Sequence, residues 1–351
     1  MRPREPGHHM EREIREQPHA LARLLEREGR RVRSIAHRLR QDPPPAIVLV
    51  ARGSSDNAAT YGRYLLETLL RIPTALAAPS VVTLYGARLR LQRMLVIGLS
   101  QSGRSPDVVR FVRAARAQGA RTLALTNDPE SPLAAAAEQT LCLQAGPEHS
   151  IAATKTYTAQ LTLLSLLGAE VAQDAELLRA HTALPGWVDR ALDTEGEVRE
   201  LALRYRYLEE CIVTSRGYPY ATAREAALKL QETCGLVAEA LPSSDLLHGP
   251  IAVVERGFPV LLISPPGRTL RHLRDVLDRL HRRNAETAVV SSEADVLQRA
   301  TVPVPVPVRV PEVLSPHVYV VPMQWLSLHL ARLRGRDPDR PPGLRKVTRV
   351  L

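Results

Sequence analysis

Lysine has almost vanished from this chain. Of its 47 basic residues only Lys155, Lys229 and Lys346 are lysine, and the other 44 are arginine. Where a positive charge only has to sit in water, arginine serves as well. A position that keeps lysine asks for a compact ammonium, or for an amine that can lose its proton and attack a carbonyl. The three lysines are therefore the first candidates for chemistry. Phenylalanine is down to Phe111 and Phe258 and asparagine is scarce. Joint depletion of Lys, Asn and Phe fits a GC-rich genome, so the formal net charge of +10 is a poor guide to partners. The cysteines, Cys142, Cys211 and Cys234, are few, odd in number and far apart. That excludes a disulfide framework and reads as small apolar core residues in a reducing cytoplasm. No apolar run reaches membrane-spanning length and no signal-peptide pattern opens the chain. Metal-ligand spacing, a helix-turn-helix and aromatic–basic interleaving are all missing. The expected protein is cytoplasmic, with no cofactor, no metal, no membrane and no nucleic-acid partner.

What is present is a long alternation of apolar strands and helices. At 351 residues the chain is too long for one ordinary core. Residues 10–40 carry Ile14, Leu21, Leu24 and Leu25 at helical spacing, a lead-in of one or two helices stopped by Pro43-Pro44-Pro45. Residues 1–9, with Met10 as a plausible initiator, read as a frayed start. Strands are expected at 46–50, 94–99, 122–127 and 139–144, with helices between them. A helical stretch over 154–208, broken near Pro185-Gly186, separates this half from the next. The second half restarts the scheme with strands at 210–215, 258–264, 287–292 and 302–308. The valines of VPVPVPV mark a sheet-edge strand, where proline is tolerated. Continuous apolar strands alternating with helices predict an α/β fold of two tandem domains, each an open parallel sheet flanked by helices. The expected boundaries are lead-in helices 1–42, a first domain 43–180, a linking helix 181–208, a second domain 209–335 and a tail 336–351.

Two segments carry chemistry. Ser100-Gln101-Ser102-Gly103-Arg104-Ser105 lies between a buried strand and a helix. Ligands of such sheets bind beyond the carboxyl ends of the strands, and a helix N-terminus offers N–H groups and partial positive charge to an anion. An ordinary N-cap would also use serine, but several hydroxyls at a strand–helix switch point to phosphate. Gly53-Ser54-Ser55 offers the same chemistry after the first strand. The second segment is a helix expected over 219–234, with Glu225, Lys229 and Glu232 on one face. A solvated salt-bridge face is the plain alternative. The neighbouring Ala226, Ala227, Leu228 and Leu230 favour burial, where a carboxylate can shuttle protons. His248, followed by Gly249-Pro250, is a further acid–base candidate.

The order and spacing of five segments resemble the isomerase half of glucosamine–fructose-6-phosphate aminotransferase, which is two tandem sugar-isomerase (SIS) domains. The segments are residues 51–67, 98–127, 146–161, 215–254 and 337–351. The resemblance implies a sugar-phosphate cradle of Ser55, Ser100, Gln101, Ser102 and Ser105, with Thr154 and Lys155 beside it. Ala153 stands where the aminotransferases usually have serine. It implies an acid–base set of Glu225, Lys229, Glu232 and His248, and a sugar-contacting Lys346, involved in ring opening or a Schiff base. All three lysines fall inside family motifs. Arg104 and Leu247 depart from the aminotransferase pattern, which has an acidic residue and a lysine there. The protein is expected to lack the glutaminase domain of that aminotransferase. The expected activity is that of an isomerising glucosamine-6-phosphate deaminase, a hydrolase of a C–N bond, working as a homodimer with shared active sites on a phosphorylated amino sugar. Another amino-sugar or fructosamine phosphate, or a non-catalytic sugar-phosphate sensor, are the alternatives.

Overall fold

The computed structural model describes residues 5–346. It resolves into two compact units. One comprises residues 17–148, 155–185 and 345–351, and the other residues 1–16, 149–154 and 186–344.

The first unit holds a sheet of β1 (Ile47–Val50), β2 (Thr74–Leu76), β3 (Leu95–Leu99), β4 (Arg121–Thr126) and β5 (Gln139–Cys142), in the order β2-β1-β3-β4-β5. Every neighbouring pair is parallel. The central strands are buried along their length, which is why they read as unbroken apolar runs. Val48, Val50 and Val96 pack against Val108, Phe111 and Val112 of helix Pro106–Ala117. The second unit holds β6 (Glu210–Ser215), β7 (Val237–Pro242), β8 (Pro259–Ser264), β9 (Glu286–Ser291) and β10 (Val302–Pro305), in the order β10-β9-β8-β6-β7. Counted from its own first strand, that is the order of the first sheet. Both are doubly wound α/β sheets, so the chain carries one fold twice. β10 forms the expected proline-tolerant edge. β2 and β7, also edge strands, were not expected from the sequence.

Three local expectations change. The helical stretch breaks at 173–174 and 193–194, and helix Ala175–Leu192 runs through Pro185. The cause of the first break is local: Gln173 adopts φ 53°, and the Asp174 carboxylate accepts from the Leu177 N–H at 2.9 Å, an N-cap. The N-terminus is ordered from Gly7 onward, not frayed to residue 9. Gly7 donates to Asp337 at 2.9 Å, and the N–H groups of His9 and Met10 donate to Asp339 at 2.8 Å each, so one acidic pair caps helix His8–Arg15. Residues 1–4 lie outside the described residues. Cys142 is only half-buried, whereas Cys211 and Cys234 are core residues whose thiols burial pushes up to about 12 and about 11. Among the described residues, no helix is long and apolar enough to cross a membrane, and no cluster of three His, Cys, Asp or Glu could hold a metal.

A buried imidazole gives the fold a pH signature. His181 Nδ1 donates to the Leu177 carbonyl at 2.7 Å and its Nε2 lies 2.8 Å from the Ser165 hydroxyl. Desolvation lowers its pKa, against the smaller opposing effect of the Leu177 bond. The unfolded chain then takes up this proton first, near the ordinary histidine value of about 6.5. Stability supplied by the neutral ring is complete above that pH and is lost as pH falls toward the lowered native value. Melting temperature is expected to drop as pH is taken below about 6.5, and the drop should be shallower in His181→Gln. Parallel pH curves for the two proteins would count against this assignment.

Candidate active site

In a doubly wound sheet the ligand crevice opens where the strand order reverses, outside the carboxyl ends of the strands. In the first sheet that point lies between β1 and β3, so the turns after these two strands flank it. After β1, Gly53 adopts φ 55° and starts helix Ser54–Leu70, with Ser55 buried in its first turn. The Gln160 side-chain amide donates from Nε2 to the Ser55 hydroxyl at 2.9 Å and fixes its direction. After β3, Ser100 and Ser105 bring their hydroxyls within 3.3 Å of each other across the turn. The Gly103 N–H donates to Ser100 Oγ at 3.2 Å, and the Arg104 N–H donates to Ser102 Oγ at 3.2 Å. Arg104 itself turns aside onto Asp128 at 3.1 Å. Arg52 ties the two turns together, its Nε 2.5 Å from the carboxylate of Asp107 at the start of helix Pro106–Ala117. The structure thus gathers Ser55, Ser100, Gln101, Ser102 and Ser105 at one end of one sheet.

The turn depends on a glycine. Gly103 has φ +62°, and a Cβ there would lie 2.1 Å from Ser131 Oγ and 2.9 Å from Thr126 Oγ1. Gly103→Ala combines a left-handed backbone cost of about 1–2 kcal/mol with overpacking of about 1–3 kcal/mol. It should lower the melting temperature and weaken phosphosugar binding together. Unchanged binding in a folded Gly103→Ala protein would remove this turn from the site.

Lys155 opens helix Lys155–Ala172 and is buried. Lys346, the last described residue, places Nζ 2.9 Å from a carboxylate oxygen of Glu148. Glu148 is itself buried and accepts from the Thr156 N–H at 3.1 Å and the Thr156 hydroxyl at 2.8 Å. This carboxylate is the chief residue that sequence reasoning missed. It sits inside the segment GPEHSIAATKTY, and the only signal there was its place before the Thr-Lys pair.

The acid–base set lies in the other unit, together with Ala153 and Thr154. The expected single helix is an α-helix, Tyr220–Lys229, that widens into one π-turn, Leu230–Cys234. Glu225 and Lys229 are fully buried, with Nζ 3.6 Å from the Glu225 carboxylate. Nζ also contacts the Glu232 carboxylate, which is about one-quarter exposed (26%). The π-turn advances less around the axis per residue, so Glu232 swings outward from the Glu225–Lys229 stripe. One ammonium therefore joins a carboxylate sealed in the core to one that faces outward. π-turns inside α-helices occur often at functional sites.

His248 follows the short helix Ser243–Leu247 and its ring is exposed. Among the described residues, the ring makes no hydrogen bond or ion pair, so it is not joined to Glu225, Lys229 or Glu232 that way. Gly249 (φ 143°) and Pro250 do shape the bend behind it. Leu247 is half-buried against the core cluster that includes Leu246, Val254 and Val260, packing that suits a leucine better than a lysine.

A model of the SIS domain matches residues 43–169 and again 209–334. The isomerizing glutamine–fructose-6-phosphate aminotransferase of Methanothermobacter thermautotrophicus is 36% identical over 345 residues, covering 98% of this chain and 58% of that protein. The chain thus spans a little under three-fifths of the length of such relatives. The crystal structure of a candidate phosphosugar isomerase from Silicibacter pomeroyi DSS-3 is 38% identical with TM-score 0.85, covering 94% of this chain and 99% of that one. The C-terminal domain of glucosamine-fructose-6-phosphate aminotransferase from Francisella tularensis is 26% identical with TM-score 0.85, covering 95% and 98%. Two doubly wound sheets of one strand order, a serine turn at the first switch point and these matches lead to one conclusion: the chain belongs to the SIS-domain family and carries the domain twice.

Proposed function

We propose that this protein is a phosphosugar isomerase whose reaction converts glucosamine 6-phosphate and water to fructose 6-phosphate and ammonia. The observation that carries the reading is the Lys229 ammonium set between buried Glu225 and outward-facing Glu232. That arrangement supplies a base and a charge stabiliser side by side, which proton transfer along a carbon chain requires.

The serine turns hold the phosphate. His248 assists ring opening, giving the C1 aldehyde. Glu232 removes the C2 proton while the aldehyde oxygen gains one, forming an enolamine. Glu232 returns its proton to C1, which leaves an imine at C2. Water adds to that carbon and ammonia departs. Lys229 and Lys346 stabilise charge on oxygen as it develops. These steps balance without an oxidant or reductant. The exposure of His248 suits a group lent to the site of a second subunit, and a homodimer is part of the proposal.

A second reading has specific support, because the relatives at 36% identity are aminotransferases. The same site would then run toward glucosamine 6-phosphate. One experiment addresses both: purified protein is given glucosamine 6-phosphate, and separately fructose 6-phosphate with ammonium, with no added cofactor. Ammonia release in the first arm supports the deaminase, and amino-sugar formation in the second supports the reverse. Silence in both, with tight phosphosugar binding, would leave a sensor.

A further inference from the structure

The two sheets share one strand order, so each feature of the first switch point has a counterpart in the second. The counterpart of the turn Ser100–Ser105, which follows β3, is the turn 264–269, which follows β8. The two read SQSGRS and SPPGRT. Serine, glycine, arginine and a hydroxyl residue recur in the same places, and each turn leads into a long helix, Pro106–Ala117 and Leu270–Arg282. The second turn should therefore attract an oxyanion as the first does.

It already holds one. Both carboxylate oxygens of Glu312 sit on this turn: the Arg268 N–H donates to Oε2 at 2.7 Å, and the Thr269 N–H and hydroxyl donate to Oε1 at 3.1 and 2.6 Å. The fit is close. A Cβ on Gly267, whose φ is +138°, would lie 2.4 Å from the Glu312 carboxyl carbon. Glu312 is held in place from behind, since the Ser315 hydroxyl donates to its carbonyl at 2.7 Å. Among the described residues, no carboxylate accepts a hydrogen bond from the backbone N–H or hydroxyl groups of residues 100–105.

We infer that Glu312 is an internal stand-in for phosphate: the second domain keeps the oxyanion turn of the first but fills it with the chain's own carboxylate. The duplicated fold then offers a phosphorylated ligand one anion site per chain, not two. Pro265 and Pro266 sharpen the point. They replace Gln101 and Ser102 and remove two N–H donors and a hydroxyl, which leaves a site matched to a two-oxygen carboxylate. This inference rests on the phosphate reading of the first turn only for the total count, and the test separates the two.

Inorganic phosphate is titrated by equilibrium dialysis against the full chain in four forms: wild type, Ser100→Ala/Ser102→Ala, Glu312→Ala, and all three changes combined. Glu312→Ala should add one phosphate per chain in either background, with a larger phosphate-dependent rise in melting temperature than its parent shows. The serine pair should remove one in either background. Glu312→Gln should add none, because the amide still fills the turn. No gain on Glu312→Ala in a folded protein overturns the inference, whatever the serine pair does. No loss from the serine pair overturns the cradle reading and leaves the inference standing. An alanine variant that folds only in phosphate supports the inference, and one that stays unfolded at saturating phosphate overturns it.

Discussion

Glu232→Gln is expected to lower kcat for the phosphosugar reaction by about 10²–10⁴-fold with little change in KM, the usual cost of losing a positioned general base. The substitution keeps shape and volume and removes only the basic oxygen. Glu232 is partly exposed, so the neutral amide can be solvated and folding should survive. Steady-state kinetics with matched circular dichroism and melting curves is the check. A fall in activity tracking a fall in stability would point to a structural role. Equal kcat in a folded protein would exclude Glu232 as the proton carrier.

Lys229→Met should have the largest effect on stability. Its side chain is 2% exposed and that of Glu225 is 0%. Methionine fills nearly the same space but leaves the Glu225 carboxylate in the core without its ammonium. Breaking a buried ion pair from one side typically costs about 3–5 kcal/mol, whereas replacing both partners by uncharged groups can be nearly neutral. The single variant should therefore shift the denaturation midpoint strongly, and Lys229→Met/Glu225→Gln should regain much of the loss. Activity should stay low in both, since neither retains the ammonium beside Glu232. If the single variant were as stable as wild type, the pair would not be a buried one in solution.

The fold was legible where apolar runs were continuous. β1, β3, β4, β6, β8 and β9 are buried central strands: β1, β3 and β8 read as almost unbroken apolar runs, and β4, β6 and β9 as a short apolar middle between Thr, Ser, Arg or Glu. β2, with three residues, and β7, reading VAEALP, are edge strands that bury less and so carry little pattern. The serine turn and the Glu225, Lys229, Glu232 spacing were legible because residues near in sequence form them. What stayed hidden was long-range pairing. Gln160 reaches Ser55 across 105 residues, Lys346 reaches Glu148 across 198, and Glu312 reaches its turn across 43 and 44. No periodicity announces such partners. The widening of the helix after Lys229 was hidden for another reason, because LQETC is compatible with an ordinary α-helix.

That widened turn has a further consequence. A π-turn accommodates one residue more than an α-turn across the same rise, so the segment Leu230–Cys234 behaves as a built-in insertion. A chain shortened there by a single residue could close up into regular α-helix without losing its packing. Each residue of an α-helix steps about 100° around the axis, so that small loss would turn the outward carboxylate toward a different wall. The direction in which Glu232 points is thus tied to local chain length as firmly as to side-chain identity.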